Sequence, residues 1–251
     1  MTNPRLPALF LDRPIAHRGL HNSTQRVAEN SRAAARAAIA QGYGIECDVQ
    51  LSSDGVAMVF HDTDTTRLTG HGGRVRKREA VNLSLMRLLN GDEGIPTLAD
   101  FLTTVDGQAP LLIELKDQTG TLSAGPDDLE RAVAADLASY GGPVAVMSFN
   151  PHMVAAFGRH APDIPRGHVT DPFTPVAWPG IAEDRLRELA ILPRLNQAAF
   201  ISHNHTDLDR PEIAAFRASG RPVLCWTIRS FAQETAARQF ADNITFEGYS
   251  A

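Results

Sequence analysis

Residues 44–61, GIECDVQLSSDGVAMVFH, decide how the strands of this protein are arranged. Two runs have the pattern of strands, Gly44–Leu51 and Val56–His61, and only Ser52-Ser53-Asp54-Gly55 separates them. Parallel neighbours need a crossover of about a dozen or more residues, so these two strands must be antiparallel. We therefore interpret the second run as the arm of a β-hairpin that projects from the main sheet.

Outside that arm, eight strand-like runs alternate with Ala-rich amphipathic segments. The predicted strands are Pro14–Gly19, Gly44–Leu51, Pro110–Lys116, Val144–Asn150, Arg166–Thr170, Ala199–His203, Pro222–Ile228 and Asn243–Glu247. The predicted helices are Ser31–Gln41, Thr97–Val105, Asp127–Tyr140, Pro151–His160, Glu183–Leu192, Arg210–Ser219 and Phe231–Phe240. This alternation predicts an α/β protein with a parallel sheet covered by helices.

A closed TIM (β/α)8 barrel with a β-hairpin extension at its mouth fits the strand count best. The alternative is an open doubly wound sheet, which usually carries a Gly-rich first turn, and no G-x-G-x-x-G or Walker sequence occurs. About 250 residues are ordinary for one barrel, so we expect residues 1–251 to form a single domain.

Composition narrows the function classes. The chain is 43% hydrophobic and 21% charged with a net charge of −5, which is typical of a globular protein and unfavourable for binding duplex nucleic acid.

No apolar run is long enough to span a membrane, and no secretion signal is recognised, so we expect a cytoplasmic protein. Cys47 and Cys225 are expected to be reduced thiols in the core, with a disulfide bridge between them as the alternative. The oligomeric state is left open.

One long connection, Thr63–Ile95, separates the hairpin arm from the next helix. It contains the basic run Arg74–Arg78 and is predicted to overhang the mouth with a short helix near Leu83–Leu89. The basic run is interpreted as a solvated loop, with attraction of an anionic head group as the alternative. The connection is also the candidate for a lid.

Charged side chains interrupt strands that are otherwise apolar. Glu46 and Asp48 share one face of their strand, and Glu114 lies on the next strand of the barrel. Three carboxylates this close repel one another, and a divalent cation relieves the repulsion. Oxygen ligands favour a hard ion, so Glu46, Asp48 and Glu114 are the candidate ligands of Mg²⁺ or Ca²⁺. The alternative for the first two is a capping or ion-pairing role.

Two histidines and two cations accompany these carboxylates at the strand ends. His17 and His61 can supply one base and one acid near neutral pH. Arg18 and Lys116 can neutralise a bound phosphodiester. Either histidine alone is more often structural, and the interpretation depends on all of these residues occurring together. His203 and His205 are expected to be exposed loop residues, with a position facing the mouth of the barrel as the alternative.

The motifs, taken in order, resemble the glycerophosphodiester phosphodiesterase family. They are His17-Arg18-Gly19, Glu29-Asn30, Glu46-Cys47-Asp48-Val49, Ser53-Asp54-Gly55, His61-Asp62, Arg67-Leu68-Thr69, Pro96-Thr97-Leu98, Glu114-Leu115-Lys116, Ser148-Phe149 and Cys225-Trp226-Thr227. The resemblance extends over nearly the whole chain and implies a TIM barrel. It also implies metal-dependent cleavage of a glycerophosphodiester to glycerol 3-phosphate and an alcohol.

The resemblance assigns roles to individual residues. It implies a divalent cation on Glu46, Asp48 and Glu114, with His17 and His61 as the acid–base pair. Arg18 and Lys116 would hold the phosphate, and Trp226 would line the substrate pocket. Two positions depart from the family pattern: Arg229 stands where Asn is frequent, and Glu247 stands where Asp is frequent.

Two other functions are considered. A sphingomyelinase D-like phospholipase shares the His–Glu–Asp–His chemistry, but it needs a hydrophobic rim that faces a membrane, and the sequence does not predict one. A catalytically silent barrel that binds a phosphorylated metabolite is expected to have lost a histidine or a metal ligand, whereas here all are present. The small-molecule glycerophosphodiester is therefore the expected partner.

Overall fold

The strands form a closed barrel in the computed structural model, which describes residues 3–190 and 198–251. The nine strands of the described part are β1 Ile15–Ala16, β2 Gly44–Leu51, β3 Ala57–Val59, β4 Leu111–Leu115, β5 Val144–Ser148, β6 Arg166–Thr170, β7 Phe200–Asn204, β8 Val223–Ile228 and β9 Asn243–Phe246. Pairing runs β1-β9-β8-β7-β6-β5-β4-β2, and β1 also pairs with β2. Eight parallel strands therefore close on themselves, and the predicted TIM barrel is confirmed.

Helices separate most successive barrel strands and cover the outside of the barrel. They are α1 Leu9–Asp12, α2 Arg32–Ala40, α3 Thr66–Thr69, α4 Ala80–Leu85, α5 Leu98–Val105, α6 Asp128–Leu137, α7 Pro151–His160, α8 Glu183–Ala190, α9 Pro211–Ala218 and α10 Phe231–Ala237. The seven predicted helices correspond to α2 and α5–α10, with ends that differ by a few residues. The last two residues predicted for the helix Glu183–Leu192 lie outside the described part of the chain.

The strand β3 is the predicted hairpin arm. Its residues Ala57–Val59 pair antiparallel with Val49–Leu51 of β2, and β3 lies outside the closed ring. The turn between the two strands extends beyond the carboxyl end of β2, and the chain then returns towards the barrel. The amide of Phe60 donates to the carbonyl of Asp48 at 2.9 Å, which brings the following residue, His61, back to the barrel mouth.

Alternation along the strands divides the core into two layers. The side chains of Cys47, Val49 and Ile113 belong to the apolar layer between barrel and helices. Leu112 and Phe200 belong to a separate cluster that also contains Phe10 and Ile15, and this cluster fills the barrel interior. The interior is therefore apolar towards the amino ends of the strands, and its polar residues lie towards the carboxyl ends.

Both cysteines, Cys47 and Cys225, are free and fully buried, as expected. Their pKa values are raised, mainly by burial, to about 12 for Cys225 and well above the usual value for Cys47. Both thiols are thus protonated at neutral pH and act as small apolar core residues. Within the described ranges, no helix combines the length and the apolar character that a membrane crossing requires.

The insertion at residues 63–95 differs from its predicted form. Its longest helix is α4, which spans Ala80–Leu85 and not Leu83–Leu89. The backbone becomes extended at Met86, and Arg87 then forms an isolated antiparallel bridge with Gly94. The buried face of the insertion contacts the outer side of the hairpin through an apolar cluster that includes Met58, Phe60 and Leu83. Three of its apolar side chains are exposed, which the sequence did not predict.

A carboxyl group with little access to water lies on α6. Glu130 is only 2% exposed, and its Oε2 atom has no hydrogen-bond partner among the described residues. Burial raises the pKa of Glu130 to about 7, and the nearby Asp127 contributes to the rise. In the unfolded chain the same carboxyl loses its proton near its ordinary value of 4.5. The free energy of unfolding therefore falls as the pH rises from about 4.5 to about 7.

We expect Glu130→Gln to stabilise the protein by an amount that depends on pH. The variant should match the parent near pH 4, where both side chains are neutral, and exceed it by about 2 kcal/mol near pH 8. Urea unfolding at a series of pH values measures the difference, with the exposed Glu79→Gln as the matched control. A stability difference that stays constant from pH 4 to pH 8 contradicts this account.

Candidate active site

Three inward-facing carboxylates lie side by side in the barrel. The register of β2 and β4 pairs Asp48 with Glu114, and Glu46 lies one inward position before Asp48. One carboxylate oxygen from each residue lies within 4.8 Å of the other two. All three residues are buried, with at most 8% exposed. No second group of this kind occurs in residues 3–190 or 198–251.

Lys116 provides the nearest positive charge. Its Nζ lies 2.8 Å from Asp48 Oδ1 and 2.7 Å from Glu114 Oε1. Burial alone would raise the pKa of Asp48, but Lys116, the two histidines and Arg18 outweigh it and lower that pKa. The pKa values of Glu46 and Glu114 are raised, first by burial and then by the neighbouring carboxylates. The basic side chains thus compensate the cluster only in part.

This residual negative charge fits a divalent cation. Glu46 Oε1 is buried and accepts no hydrogen bond within the described part of the chain. An unpartnered carboxylate oxygen beside two other carboxylates is the donor set that hard cations such as Mg²⁺ and Ca²⁺ prefer. Burial and the neighbouring carboxylates raise the pKa of Glu46. A positive ion bound beside Glu46 would favour its charged form and so lower that pKa.

The segment after β1 closes one side of the carboxylate cluster. Arg18 has a left-handed backbone with φ of 57°, and its amide donates to Glu46 Oε2 at 2.8 Å. Gly19 follows with φ of 75°, and a Cβ there would lie 2.8 Å from that of Ala34. These two successive left-handed residues form a tight turn that only glycine allows at the second position. The turn places the Arg18 side chain 3.5 Å from Asp48, measured between Nε and Oδ2.

Asn30 orients Asp48 from the segment before α2. Its Nδ2 donates to Asp48 Oδ2 at 2.7 Å, and its Oδ1 accepts from the amide of Asp48 at 3.1 Å. Asn30 is 1% exposed and also has a left-handed backbone, with φ of 54°. This paired contact fixes the rotation of the Asp48 carboxylate. The sequence signal was the pair Glu29-Asn30, but no role could be given to either residue before the fold was known.

His17 contacts the carboxylate of Glu247, the residue that directly follows β9. Its Nδ1 lies 2.6 Å from Glu247 Oε2, and its Nε2 lies 4.0 Å from Glu46. Arg229 holds the other oxygen of Glu247 at 2.6 Å. Burial lowers the pKa of His17, and the hydrogen bond that its ring donates to Glu247 opposes that effect. The two positions that depart from the family pattern, Arg229 and Glu247, therefore form one ion pair that orients His17.

His61 is held in the same way on the opposite side. Its Nδ1 lies 2.7 Å from Asp62 Oδ1, and Arg67 binds the other oxygen of Asp62 at 2.6 Å. Burial and the nearby Lys116 lower the pKa of His61 to about 4. Arg67 also binds Glu29 at 2.8 Å, and Glu29 in turn binds Arg18 at 2.7 Å. A continuous chain of ion pairs therefore connects His61 with Arg18.

Two adjoining cavities open from this cluster. The smaller has a volume of about 170 Å³ and is lined by residues that include His17, Arg18, Glu46 and Trp226. The larger has a volume of about 640 Å³ and is lined by Asp117, Trp178 and the start of the insertion. Four residues line both cavities: His61, Glu114, Lys116 and Phe149. Seven of the eight residues singled out in the sequence line these two cavities, and the eighth, Asp48, contacts Lys116.

The expectation for His203 is wrong, since this residue is fully buried in β7 and not in an exposed loop. Its ring lies between Thr170 Oγ1 at 2.7 Å and Asp207 Oδ1 at 2.8 Å. Its neighbour Ser202 points inward and lines the smaller cavity, so alternation directs His203 towards the helices. His205 is half-buried in the following 3₁₀ turn. Neither histidine lines the two cavities.

Comparison with known proteins agrees with this geometry. The model of the Glycerophosphoryl diester phosphodiesterase family matches residues 17–242. The chain belongs to this family. It is accordingly a phosphoric diester hydrolase. The match begins at His17 and ends five residues before Glu247, so it contains all three carboxylates and both histidines of the site.

Individual relatives cover most of the chain. YhdW of Bacillus subtilis (strain 168) is 28% identical over 235 residues, which are 89% of this chain and 88% of that protein. A phosphodiesterase of Oleispira antarctica, solved in complex with the product sn-glycerol-3-phosphate, has a TM-score of 0.75 at 25% identity. That match covers 95% of this chain and 93% of the other. A Thermotoga maritima glycerophosphodiester phosphodiesterase shares the fold, with a TM-score of 0.69, 20% identity and coverage of 93% and 94%.

We expect Glu247→Gln to lower the pKa of His17 further. The carboxylate favours the charged imidazolium, so a neutral amide in its place removes the contribution that opposes burial. The titration of the His17 ring, followed by NMR in the presence of a chelator and assigned with His17→Ala, measures the change. Glu212→Gln, on the exposed face of α9, is the control. A pKa of His17 that is unchanged or raised in Glu247→Gln contradicts the role given to this contact.

Proposed function

We propose that this chain hydrolyses glycerophosphodiesters to glycerol 3-phosphate and an alcohol, with a divalent cation held by Glu46, Asp48 and Glu114. The observation that carries the proposal is the placement of two carboxylate-bound histidines around one buried cluster of three carboxylates. A second observation supports it, since the Oleispira antarctica relative is described with sn-glycerol-3-phosphate as its product.

The two histidines are arranged to move protons. In each ring Nδ1 faces a carboxylate, Glu247 for His17 and Asp62 for His61, which leaves Nε2 free to exchange a proton with the substrate. Burial keeps both rings neutral at neutral pH, and the carboxylates stabilise the positive charge that forms when a ring takes up a proton. In the proposed mechanism one ring acts as the base and the other as the acid.

The proposed reaction balances without a covalent enzyme intermediate. The glycerol hydroxyl next to the phosphodiester attacks phosphorus, and one histidine takes its proton. The bond between phosphorus and the leaving alcohol breaks, and the other histidine protonates the departing oxygen. Water then opens the cyclic phosphate to give glycerol 3-phosphate, with the two histidines in reversed roles.

The positive groups of the site bind the phosphate. Arg18 and Lys116 are both directed into the smaller cavity, where a phosphodiester adds about one negative charge to the carboxylate cluster. When bound, the cation would lower the pKa of a coordinated hydroxyl and offset the charge on a phosphoryl oxygen. Trp226 forms part of the wall and packs edge-on against Phe149, with ring centroids 5.5 Å apart. We assign the glycerol phosphate moiety to this smaller cavity.

The larger cavity is suited to the leaving alcohol, because it joins the smaller one at His61 and Lys116. Its wall combines the rings of Phe149 and Trp178 with Asp64 and Asp117. Neither of these carboxylates makes an ion pair with another described residue, whereas Asp62 is paired with Arg67. Aromatic faces and unpaired carboxylates both favour a cationic alcohol over an anionic or neutral one.

Product analysis tests the proposed function and the cation together. The protein is incubated with glycerophosphocholine, -ethanolamine, -glycerol and -inositol, and glycerol 3-phosphate is assayed with Mg²⁺ or Ca²⁺. We expect glycerol 3-phosphate to form, to disappear with EDTA and to return when the divalent ion is restored, because the carboxylates need that ion to bind the substrate productively. Hydrolysis that is indifferent to EDTA excludes the metal site, and no release of glycerol 3-phosphate from any of the four excludes the function.

We expect His17→Ala and His61→Ala each to lower kcat by about 10²- to 10⁴-fold, the usual range for loss of a general acid or base. Both rings lie in a cavity and not in the apolar core, so the folded state should be retained. Steady-state kinetics measures the loss, and circular dichroism with thermal unfolding measures the fold. His160→Ala, on the outer helix α7, is the matched control and should keep full activity. Full activity in either site variant overturns the acid–base pair.

A further inference from the structure

Three of the seven large apolar side chains that are exposed in residues 3–190 and 198–251 lie on the insertion at residues 63–95. Val81 is 61% exposed, Leu85 is 78% exposed and Leu89 is 48% exposed. Val81 and Leu85 are four residues apart on α4, so they share one face of that helix. Large apolar side chains that lie together in water indicate a binding surface.

Basic side chains precede this apolar face. Arg74, Arg76 and Lys77 are exposed, and none of them makes an ion pair with another described residue. The insertion as a whole has six basic and four acidic residues, although the chain has a net charge of −5. The local charge is therefore opposite in sign to that of the protein.

The insertion lies next to the mouth of the barrel. The amide of Ala80 donates to Asp54 Oδ1 in the hairpin turn, which extends beyond the carboxyl end of β2. At its other end the insertion supplies Arg67, which binds Asp62 beside His61. Exposed apolar and basic groups are thus attached to the segment that borders the larger cavity.

We propose that the insertion binds the surface of an anionic lipid bilayer. Apolar side chains next to a cluster of Lys and Arg are the two signals that hold a protein at a membrane interface, one by insertion and one by attraction to lipid head groups. Duplex nucleic acid would satisfy the basic residues but leave Val81 and Leu85 in water. The contact brings the cavity mouth close to the lipid surface. This inference goes beyond the proposed reaction and does not depend on it.

Vesicle sedimentation tests the proposal with the full chain. We expect binding to phosphatidylcholine vesicles that contain about a third phosphatidylglycerol, little binding to phosphatidylcholine alone, and loss of binding as salt rises from about 0.1 M to about 1 M. Leu85→Glu should weaken binding about tenfold or more, because it places a charge where an apolar side chain enters the interface. Arg74→Gln with Lys77→Gln should weaken it by a similar factor.

Matched controls come from the opposite end of the barrel. Leu9 is 53% exposed on α1, whose residue Phe10 accepts a hydrogen bond from Asn243 at the amino end of β9. Leu9→Glu, and Arg5→Gln with Arg13→Gln, should bind vesicles as the parent does. All these variants should hydrolyse a water-soluble glycerophosphodiester at the parental rate, because none of the altered residues contacts either cavity.

Three outcomes overturn the proposal: no binding to the anionic vesicles, equal binding to both kinds of vesicle, or binding that Leu85→Glu does not weaken. A fourth outcome also overturns it: a dimer in sedimentation velocity that Leu85→Glu converts to a monomer. In that case the apolar face is covered by a second copy of the chain. Since vesicle binding is measured without substrate, failure of this proposal is distinguishable from failure of the proposed hydrolase activity.

Discussion

Mutual repulsion of Glu46, Asp48 and Glu114 is the constraint on which the site depends. Their carboxylates lie within 4.8 Å of one another in a buried position, where charges interact strongly. Three neighbouring residues act on these carboxylates: Lys116 bridges Asp48 and Glu114, the Arg18 amide binds Glu46, and Asn30 fixes the orientation of Asp48. The three carboxylates therefore carry more negative charge than the nearby basic side chains neutralise, and a divalent cation can bind to this excess negative charge.

The fold was predictable where the length of a connection or the alternation of side chains allows only one arrangement of the strands. The predicted turn of four residues, which is five residues long in the structure, forces β2 and β3 to be antiparallel, so the surplus strand had to lie outside the barrel, as it does. Alternation with period two was enough to predict that Glu46 shares a strand face with Asp48, and Glu114 with Lys116. The opposite face of each strand packs in the apolar layer under the helices. The position of α4 was missed, since its apolar residues do not form one buried stripe: Ala80 and Leu83 are buried, whereas Val81 and Leu85 face water.

Long-range partners were the part that sequence reasoning did not find. Glu247 meets His17 across 230 residues, and only closure of the barrel between β1 and β9 brings them together. His203 was misjudged because it is the last residue of the predicted strand Ala199–His203, whereas β7 continues to Asn204 and alternation directs the His203 side chain towards the helices. The network from Arg18 through Glu29 and Arg67 to Asp62 likewise joins three separate segments of chain.

That network connects the candidate active site to the insertion. Arg67 lies on α3 inside the insertion, and its guanidinium binds the carboxylates that hold His61 and Arg18. A displacement of the insertion would therefore move Asp62, and because Asp62 contacts the His61 ring, it would also change the orientation of that ring. Since the same insertion carries the exposed apolar and basic side chains, the surface proposed to bind a bilayer and the group that orients His61 belong to one structural unit. Attraction at that surface would hold the insertion in place while leaving the deeper carboxylate cluster, fixed by β2 and β4, unchanged.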